Sequence, residues 1–265
     1  MPGSSARLAV ITGASAGIGL SLSRLVAREG RPVLAVARRG DRLAALSAEA
    51  AREGWAQVHP LPLDVTSPGA AAEVLRRAEA LGGAEWLVND AGFGLVGALQ
   101  EADPARLSQM IRTNCEALVL LTHAFLPALA RGGGGFVLNV ASAAAFQAVP
   151  YLSVYGATKA FVLSFTEGLA EEIRGSSVGA GAFCPGPVRT EFARVAGSLG
   201  GMPGAPGVLT AEEAAREALD QIHGRAVVRV PNLVYKVTAA SARLLPRPLL
   251  RRLAGRMHRP GGRGP

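Results

Sequence analysis

Tyr155 and Lys159 are spaced as Y-x-x-x-K, and this pair is the part of the chain best equipped to do chemistry. On a helix, residues four apart share one face within one turn. A free phenol titrates near about 10 and exchanges protons poorly at neutral pH. An ammonium beside it favours the phenolate, so Lys159 is expected to lower the Tyr155 value. Such a pair can pass a proton to or from a substrate oxygen, a form of catalysis worth roughly 10²–10⁴ in rate. Lys159 and Lys236 are the sole lysines in an arginine-rich chain, which makes a lysine at this spacing more conspicuous.

A second constellation lies near the start. Thr12-Gly13-Ala14-Ser15-Ala16-Gly17-Ile18-Gly19 follows the apolar run Leu8–Thr12 and opens a helical pattern. Glycine lets the backbone turn sharply after a strand and lets a pyrophosphate approach the main chain. The helix that follows aims its free N–H groups and positive dipole end at that anion. Gly13, Ser15, Gly17, Ile18 and Gly19 are therefore candidate cofactor contacts. The next strand pattern ends at Ala37-Arg38-Arg39, where an NAD site would carry an acidic residue for the ribose 2′-hydroxyl. Two guanidiniums there suit a phosphate and predict NADP(H), with Arg38 and Arg39 as its ligands.

The elements that must hold these groups are legible in the hydropathy. Apolar runs at Leu8–Thr12, Pro32–Ala37, Gln57–Leu61, Trp86–Asn89, Gly135–Ala141, Val178–Phe183 and Ala226–Val230 read as strands. Most are continuous, as parallel strands covered on both faces require. Helical patterns alternate with them at Ile18–Glu29, Arg42–Glu53, Gly69–Leu81, Pro104–Arg131, Tyr155–Arg174 and Ala211–His223. The rhythm predicts an α/β, Rossmann-type, doubly wound and mainly parallel seven-stranded sheet with helices on both faces. This domain should span residues 1–230, with a basic helical extension over 231–265. The Gly- and Pro-rich Gly197–Gly207 reads as one mobile loop able to act as a lid.

With the glycine turn, the Y-x-x-x-K pair and the length taken together, the chain resembles the short-chain dehydrogenase/reductase family over about residues 6–230. The resemblance implies a catalytic set of Asn114, Ser142, Tyr155 and Lys159. Ser142 stands thirteen residues before Tyr155, at the end of the fifth strand pattern. In the family's arrangement Ser142 would bond the substrate oxygen and steady its charge. Lys159 would also hold the nicotinamide ribose, and Asn114 would anchor a water between Lys159 and solvent. The resemblance further assigns Asp64 and Val65 to the adenine. Asn89, Ala91 and Gly92 go to the strand end beside the adenosine, and Pro185, Gly186, Val188 and Thr190 to the nicotinamide. Asp90 departs from the family's usual second asparagine, a change expected to alter a structural hydrogen bond and not the chemistry. A homodimer or homotetramer, built through helices around 104–131 and 155–174, is also implied.

The residues expected on the substrate side are apolar: Phe93, Leu95, Phe146, Tyr151 and Phe192, with Val96, Val149 and Val195 near them. Such a lining favours a lipophilic ketone, aldehyde, alcohol or 3-oxoacyl chain. The competing class is a dinucleotide-binding scaffold without activity, for which the catalytic tyrosine would be superfluous.

Charge is unevenly placed. The formal net charge is +8, yet ten of the 28 basic residues and none of the 20 acidic ones lie from Gln221 onward. Within that tail, Leu249, Leu250, Leu253 and Met257 follow helical spacing with arginines on the other face. A basic amphipathic helix can pack on its own domain or subunit partner, lie on an anionic membrane, or dock an acidic acyl carrier protein. Nucleic acid is not expected, because no aromatic-basic pattern accompanies the charge. Cys115 and Cys184 sit in apolar stretches and read as buried hydrophobes in a reducing, cytoplasmic setting, with peripheral membrane contact left to the tail. The four histidines lack metal-ligand spacing, so no metal is expected. Neither a signal peptide nor an apolar stretch of about 20 residues is evident, which predicts no membrane-spanning helix.

Overall fold

The computed structural model describes residues 7–197, 207–244 and 246–258. In chain order the elements are β1 (Leu8–Thr12), α1 (Gly17–Arg28), β2 (Val33–Ala37), α2 (Gly40–Arg52), β3 (Val58–Pro62), α3 (Ala70–Ala80) and β4 (Ala84–Asn89). Then come α4 (Pro104–Ile111), a π-helical turn (Arg112–Glu116), α5 (Ala117–Arg131), β5 (Gly135–Val140), a 3₁₀ turn (Ala143–Phe146), α6 (Ser153–Glu172) and β6 (Val178–Phe183). The chain continues through β7 (Val188–Arg189), α7 (Phe192–Val195), β8 (Leu209–Thr210), α8 (Ala211–Gly224), β9 (Val228–Arg229), α9 (Leu233–Leu244) and α10 (Arg247–His258).

Seven strands form one sheet in the order β3-β2-β1-β4-β5-β6-β9. Every pairing in it is parallel. Successive side chains of a strand point to opposite faces, and the core divides accordingly. Ala9, Ile11, Val33 and Ala35 pack with Leu22 and Val26 of α1, Leu43 of α2 and Ala215 of α8. Leu8, Val10, Leu34 and Val36 pack on the other face with Val74 of α3, Phe125 of α5 and Leu169 of α6. Strands apolar on both faces, as the continuous runs predicted, are the cause of this three-layer arrangement.

The chain order reverses beside β1, whose neighbours are β2 and β4, so a crevice opens at the carboxyl ends of those strands. The predicted elements recur with ends shifted by at most two residues. The last strand shortens from Ala226–Val230 to β9, and the two-residue β7–β8 pair has no counterpart in the predicted set.

The long helical pattern at 104–131 is one unbroken run with the π-helical turn inside it. Contrary to the sequence expectation, this run is long and apolar enough to cross a membrane by length and composition. Its Leu121, Phe125 and Leu129 instead fill the core beside β1 and β5. Residues 198–206 of the predicted lid and Leu245 lie outside the described residues.

Candidate active site

The glycine turn works because its backbone is pressed against β4. Gly13 has φ of +72°, and a Cβ there would stand 3.0 Å from Ala91 N. Thr12 locks the two strand ends together: its hydroxyl donates to Val88 O at 3.2 Å and accepts the Asp90 and Ala91 N–H groups, each at 3.1 Å. The N-cap Ala16 gives the first turn of α1 no side-chain bond, so Gly17 and Ile18 present main-chain N–H groups at the crevice. That is the cradle a diphosphate needs. Gly17 also faces Thr190, whose Cγ2 is 3.3 Å from where a Cβ would sit. The turn after β1 and the segment after β7 therefore meet across the crevice.

Asp90 does more than its expected structural role. Its Oδ2 accepts the Gly19 N–H at 2.8 Å, tying α1 to the end of β4. Burial pushes its carboxyl up to about 7, against the pull of Lys159 and of the Gly19 N–H. In the unfolded chain it would titrate near 3.8. Its contribution to stability is thus fully present below that value and is lost as pH rises through about 7. Asp90→Asn removes this titration, and also removes a charge that favours ionised Lys159. The melting temperature of the variant should therefore gain on that of the parent between about pH 5 and about pH 8.5. A gap that stays constant across that range would contradict this reading of Asp90.

The four predicted catalytic residues gather at the carboxyl ends of β4 and β5. The π-helical turn places Asn114 inward, a local distortion of the kind often found at functional sites. Its Oδ1 accepts Phe93 N–H at 3.1 Å, and its Nδ2 donates to Phe93 O and Thr158 Oγ1, each at 3.0 Å. Asn114 and Lys159 both border Gly92, where a Cβ would lie 3.0 Å from Asn114 Oδ1 and 3.7 Å from Lys159 Nζ. Lys159 is buried, and its ammonium donates to Val140 O at 2.7 Å. Ser142 caps the 3₁₀ turn by accepting Ala144 N–H at 3.1 Å, and its hydroxyl also bonds the Tyr155 hydroxyl.

One expectation is corrected here. Tyr155 is not lowered by Lys159: burial pushes its phenol up to about 12, opposed by the Ser142 hydrogen bond and reinforced by Asp90. The ammonium stands 5.8 Å from the phenol ring centroid and is engaged by Val140 O, too far to dominate over burial. A neutral phenol held against Ser142 is a proton donor.

Other predicted residues are placed as follows. Asn89 turns its amide into the core, donating to Thr122 Oγ1 at 3.1 Å and Asn139 Oδ1 at 2.8 Å, so only its backbone borders the crevice. Asp64 folds onto Thr66, accepting its N–H at 2.9 Å and its hydroxyl at 2.7 Å. These bonds and nearby Arg38 hold the Asp64 carboxyl below its ordinary value despite burial, which is the largest single influence and opposes them. Arg39 Nε donates to Ser15 Oγ at 3.1 Å, on the glycine turn itself. The two arginines thus part: Arg38 faces Asp64 while Arg39 faces the turn.

On the substrate side, the Phe192 ring lies 5.4 Å from that of Tyr155, tilted by 55°. Gly94 leaves room for both rings, since a Cβ there would be 2.8 Å from Phe192 Cζ. Tyr151 has φ of +65° and accepts Gly97 N–H at 2.9 Å, and Phe146 packs in the cluster under α6. Phe93 is bound to Asn114 through its backbone, and Leu95 is half-buried. Val96 donates to Ala196 O at 2.8 Å, joining the two walls.

Sequence reasoning missed Tyr235, Arg42 and Glu191. The Tyr235 ring of α9 presses on Gly186, in the segment expected along the nicotinamide, and also meets Gly207. Tyr235 is the sole aromatic of the predicted helical extension 231–265, but its face could not be read without knowing where that extension docks. Farther along, α10 buries Ala254 and sets Gly255 against Pro150. A cavity of about 520 Å³ between them is lined by Gly97, Leu99, Tyr151 and Arg252 among others. Helix α10 therefore packs against the described body of the chain. The side chains of Leu253 and Met257, named in the sequence pattern, lie outside the described residues.

Comparison with known proteins follows the same outline. Residues 7–198 match the family model described as short chain dehydrogenase. Sulfoacetaldehyde reductase 2 of Chromohalobacter salexigens is 37% identical over 71% of this chain and 75% of that protein. A short-chain dehydrogenase from Sphingobium yanoikuyae, solved in complex with NADPH, superposes with a TM-score of 0.80 at 32% identity, covering 90% of this chain and 93% of that one. A bulky-bulky ketone specific alcohol dehydrogenase from Comamonas testosteroni gives a TM-score of 0.76 at 27% identity, covering 91% and 94%.

Proposed function

The chain belongs to the short chain dehydrogenase family of oxidoreductases, and from that premise we propose that it reduces a carbonyl of a lipophilic substrate with NADPH, or runs the reverse oxidation. The observation that carries this reading is the gathering of Asn114, Ser142, Tyr155 and Lys159 beside a glycine cradle. The cradle fits a dinucleotide, because Gly13 and Gly17 leave main chain where side chains would stand. A nicotinamide dinucleotide bound there supplies the hydride. The chain's own residues do the rest. Ser142 bonds the substrate oxygen and accepts part of its developing charge. Tyr155 gives its proton to that oxygen as the carbon is reduced, and takes it back in the reverse direction. The Lys159 ammonium offsets the charge left on the phenol, and Asn114 fixes the floor of the site through Phe93 and Thr158.

A lipophilic substrate is supported by the Phe192 ring beside Tyr155. The names of the relatives span an aldehyde and bulky ketones, so they support the reaction class and leave the choice of substrate to this lining. Exposed Phe161, stacked on Phe165, and exposed Leu120 lie on α6 and α5, the helices through which a homodimer or homotetramer would form.

Preference for NADPH rests on Arg38 and Arg39 where an acidic residue would select NAD. The test is kcat/KM with NADPH and with NADH against one accepted carbonyl. A value at least about tenfold higher with NADPH is expected from one charge-assisted contact. Equal values, or a higher one with NADH, would contradict the assignment.

A further inference from the structure

Three guanidiniums converge on one carboxylate at the mouth of the crevice. Glu191 Oε2 accepts from Arg39 Nη1 and Arg42 Nη1, both at 2.9 Å. Its Oε1 accepts from Arg42 Nη2 at 3.1 Å and from Arg194 Nη2 at 3.2 Å. Arg39 also reaches the glycine turn, its Nε donating to Ser15 Oγ at 3.1 Å, and the Arg42 Nη1 that binds Glu191 also donates to Ser15 O at 3.4 Å. Glu191 arrives from the opposite wall, next to Thr190, which meets Gly17. The carboxylate therefore sits above the turn at the end of β2, among the donors that a ribose 2′-phosphate would use.

We infer that Glu191 is an internal stand-in for the 2′-phosphate of NADP(H): it holds Arg39 and Arg42 in the free protein, and the phosphate displaces it. Arg42 thereby joins the phosphate ligands already assigned at the end of β2. The inference deepens the NADPH reading above and rests on it.

A carboxylate and a phosphate are both gripped by paired guanidinium N–H groups, so one can replace the other on the same fork. They cannot share it. Arg42 spends two nitrogens on Glu191 and Arg39 spends Nη1, and a dianion brought to the same place would repel the carboxylate. The exchange is easy because Glu191 remains one-third exposed, and exposed ion pairs hold weakly. Arg42 and Arg39 keep the Glu191 carboxyl down at about 2, so the competition persists across the neutral range. A cofactor lacking the 2′-phosphate leaves the clasp closed, with α7 and Phe192 in place over Tyr155.

The test is calorimetric titration of the full chain with adenosine 2′,5′-bisphosphate and with adenosine 5′-monophosphate, comparing the parent, Glu191→Gln and Arg42→Gln. Glu191→Gln should bind the bisphosphate roughly tenfold more tightly, and Arg42→Gln roughly tenfold more weakly, with the monophosphate unchanged in both. An unchanged or weaker bisphosphate affinity in Glu191→Gln would overturn the inference. Equal gains for both ligands would also overturn it, since that is a general charge effect. If the parent does not distinguish the two ligands and Glu191→Gln does, the stand-in is upheld and the NADPH preference of the parent falls. If neither distinguishes them, both readings fall.

Discussion

Tyr155→Phe should lower kcat by roughly 10²–10⁴ while NADPH binding is retained. The substitution removes one hydroxyl and keeps the ring that packs 5.4 Å from Phe192. Stability is expected to change little, because the lost partner is the Ser142 hydroxyl, which keeps its bond from Ala144 N. The loss should not be recovered at high pH. In the parent the phenol is held near 12 and donates a proton as the neutral acid, and phenylalanine has none to give at any pH. Near-normal turnover in the variant would remove Tyr155 from the mechanism. Loss of NADPH binding in parallel would mean that the tyrosine supports the cofactor instead of the proton transfer.

Gly19→Ala should all but abolish cofactor binding and measurably destabilise the fold. A methyl group there would stand 2.7 Å from Asp90 Oδ2 and 2.8 Å from Gly13 O. Neither neighbour is the free end of a flexible chain: Asp90 is held by the Gly19 N–H and Gly13 by its left-handed turn. Relief requires α1 to draw back from β4, which opens the phosphate cradle. Overpacking of this kind costs about 1–3 kcal/mol, a fall in melting temperature of roughly 2–12 °C for a domain of this size. Fluorescence titration of NADPH against the variant reads the binding loss directly. Unaltered affinity would show that the cradle is looser than the backbone contacts imply.

The signals that could be read before the structure were periodic or local. The strands were legible because both faces are buried, so each is an unbroken apolar run. The glycine turn and the Tyr155–Lys159 pair were legible because their function fixes spacing along the chain. Four things were not. The value at Tyr155 depends on how much of the phenol is buried and on where Lys159 points, and its ammonium is turned to Val140 O. Asp90 looked like a minor departure because its partners, Gly19 and Lys159, are 71 and 69 residues away in sequence. Glu191 and Arg42 meet across 149 residues, and neither stands in a motif. Tyr235 reaches Gly186 because α9 packs against the segment after β6, a packing choice that an amphipathic pattern does not specify.

The most direct test of the account is absorbance at 340 nm with NADPH and a panel of aldehydes, ketones and 3-oxoacyl thioesters, run on the parent and on Tyr155→Phe. The account predicts NADPH oxidation with at least one lipophilic carbonyl, with that turnover reduced by roughly 10² or more in the variant. NADPH that binds but is not consumed with any member of the panel would contradict it, and would leave a dinucleotide-binding protein without this chemistry.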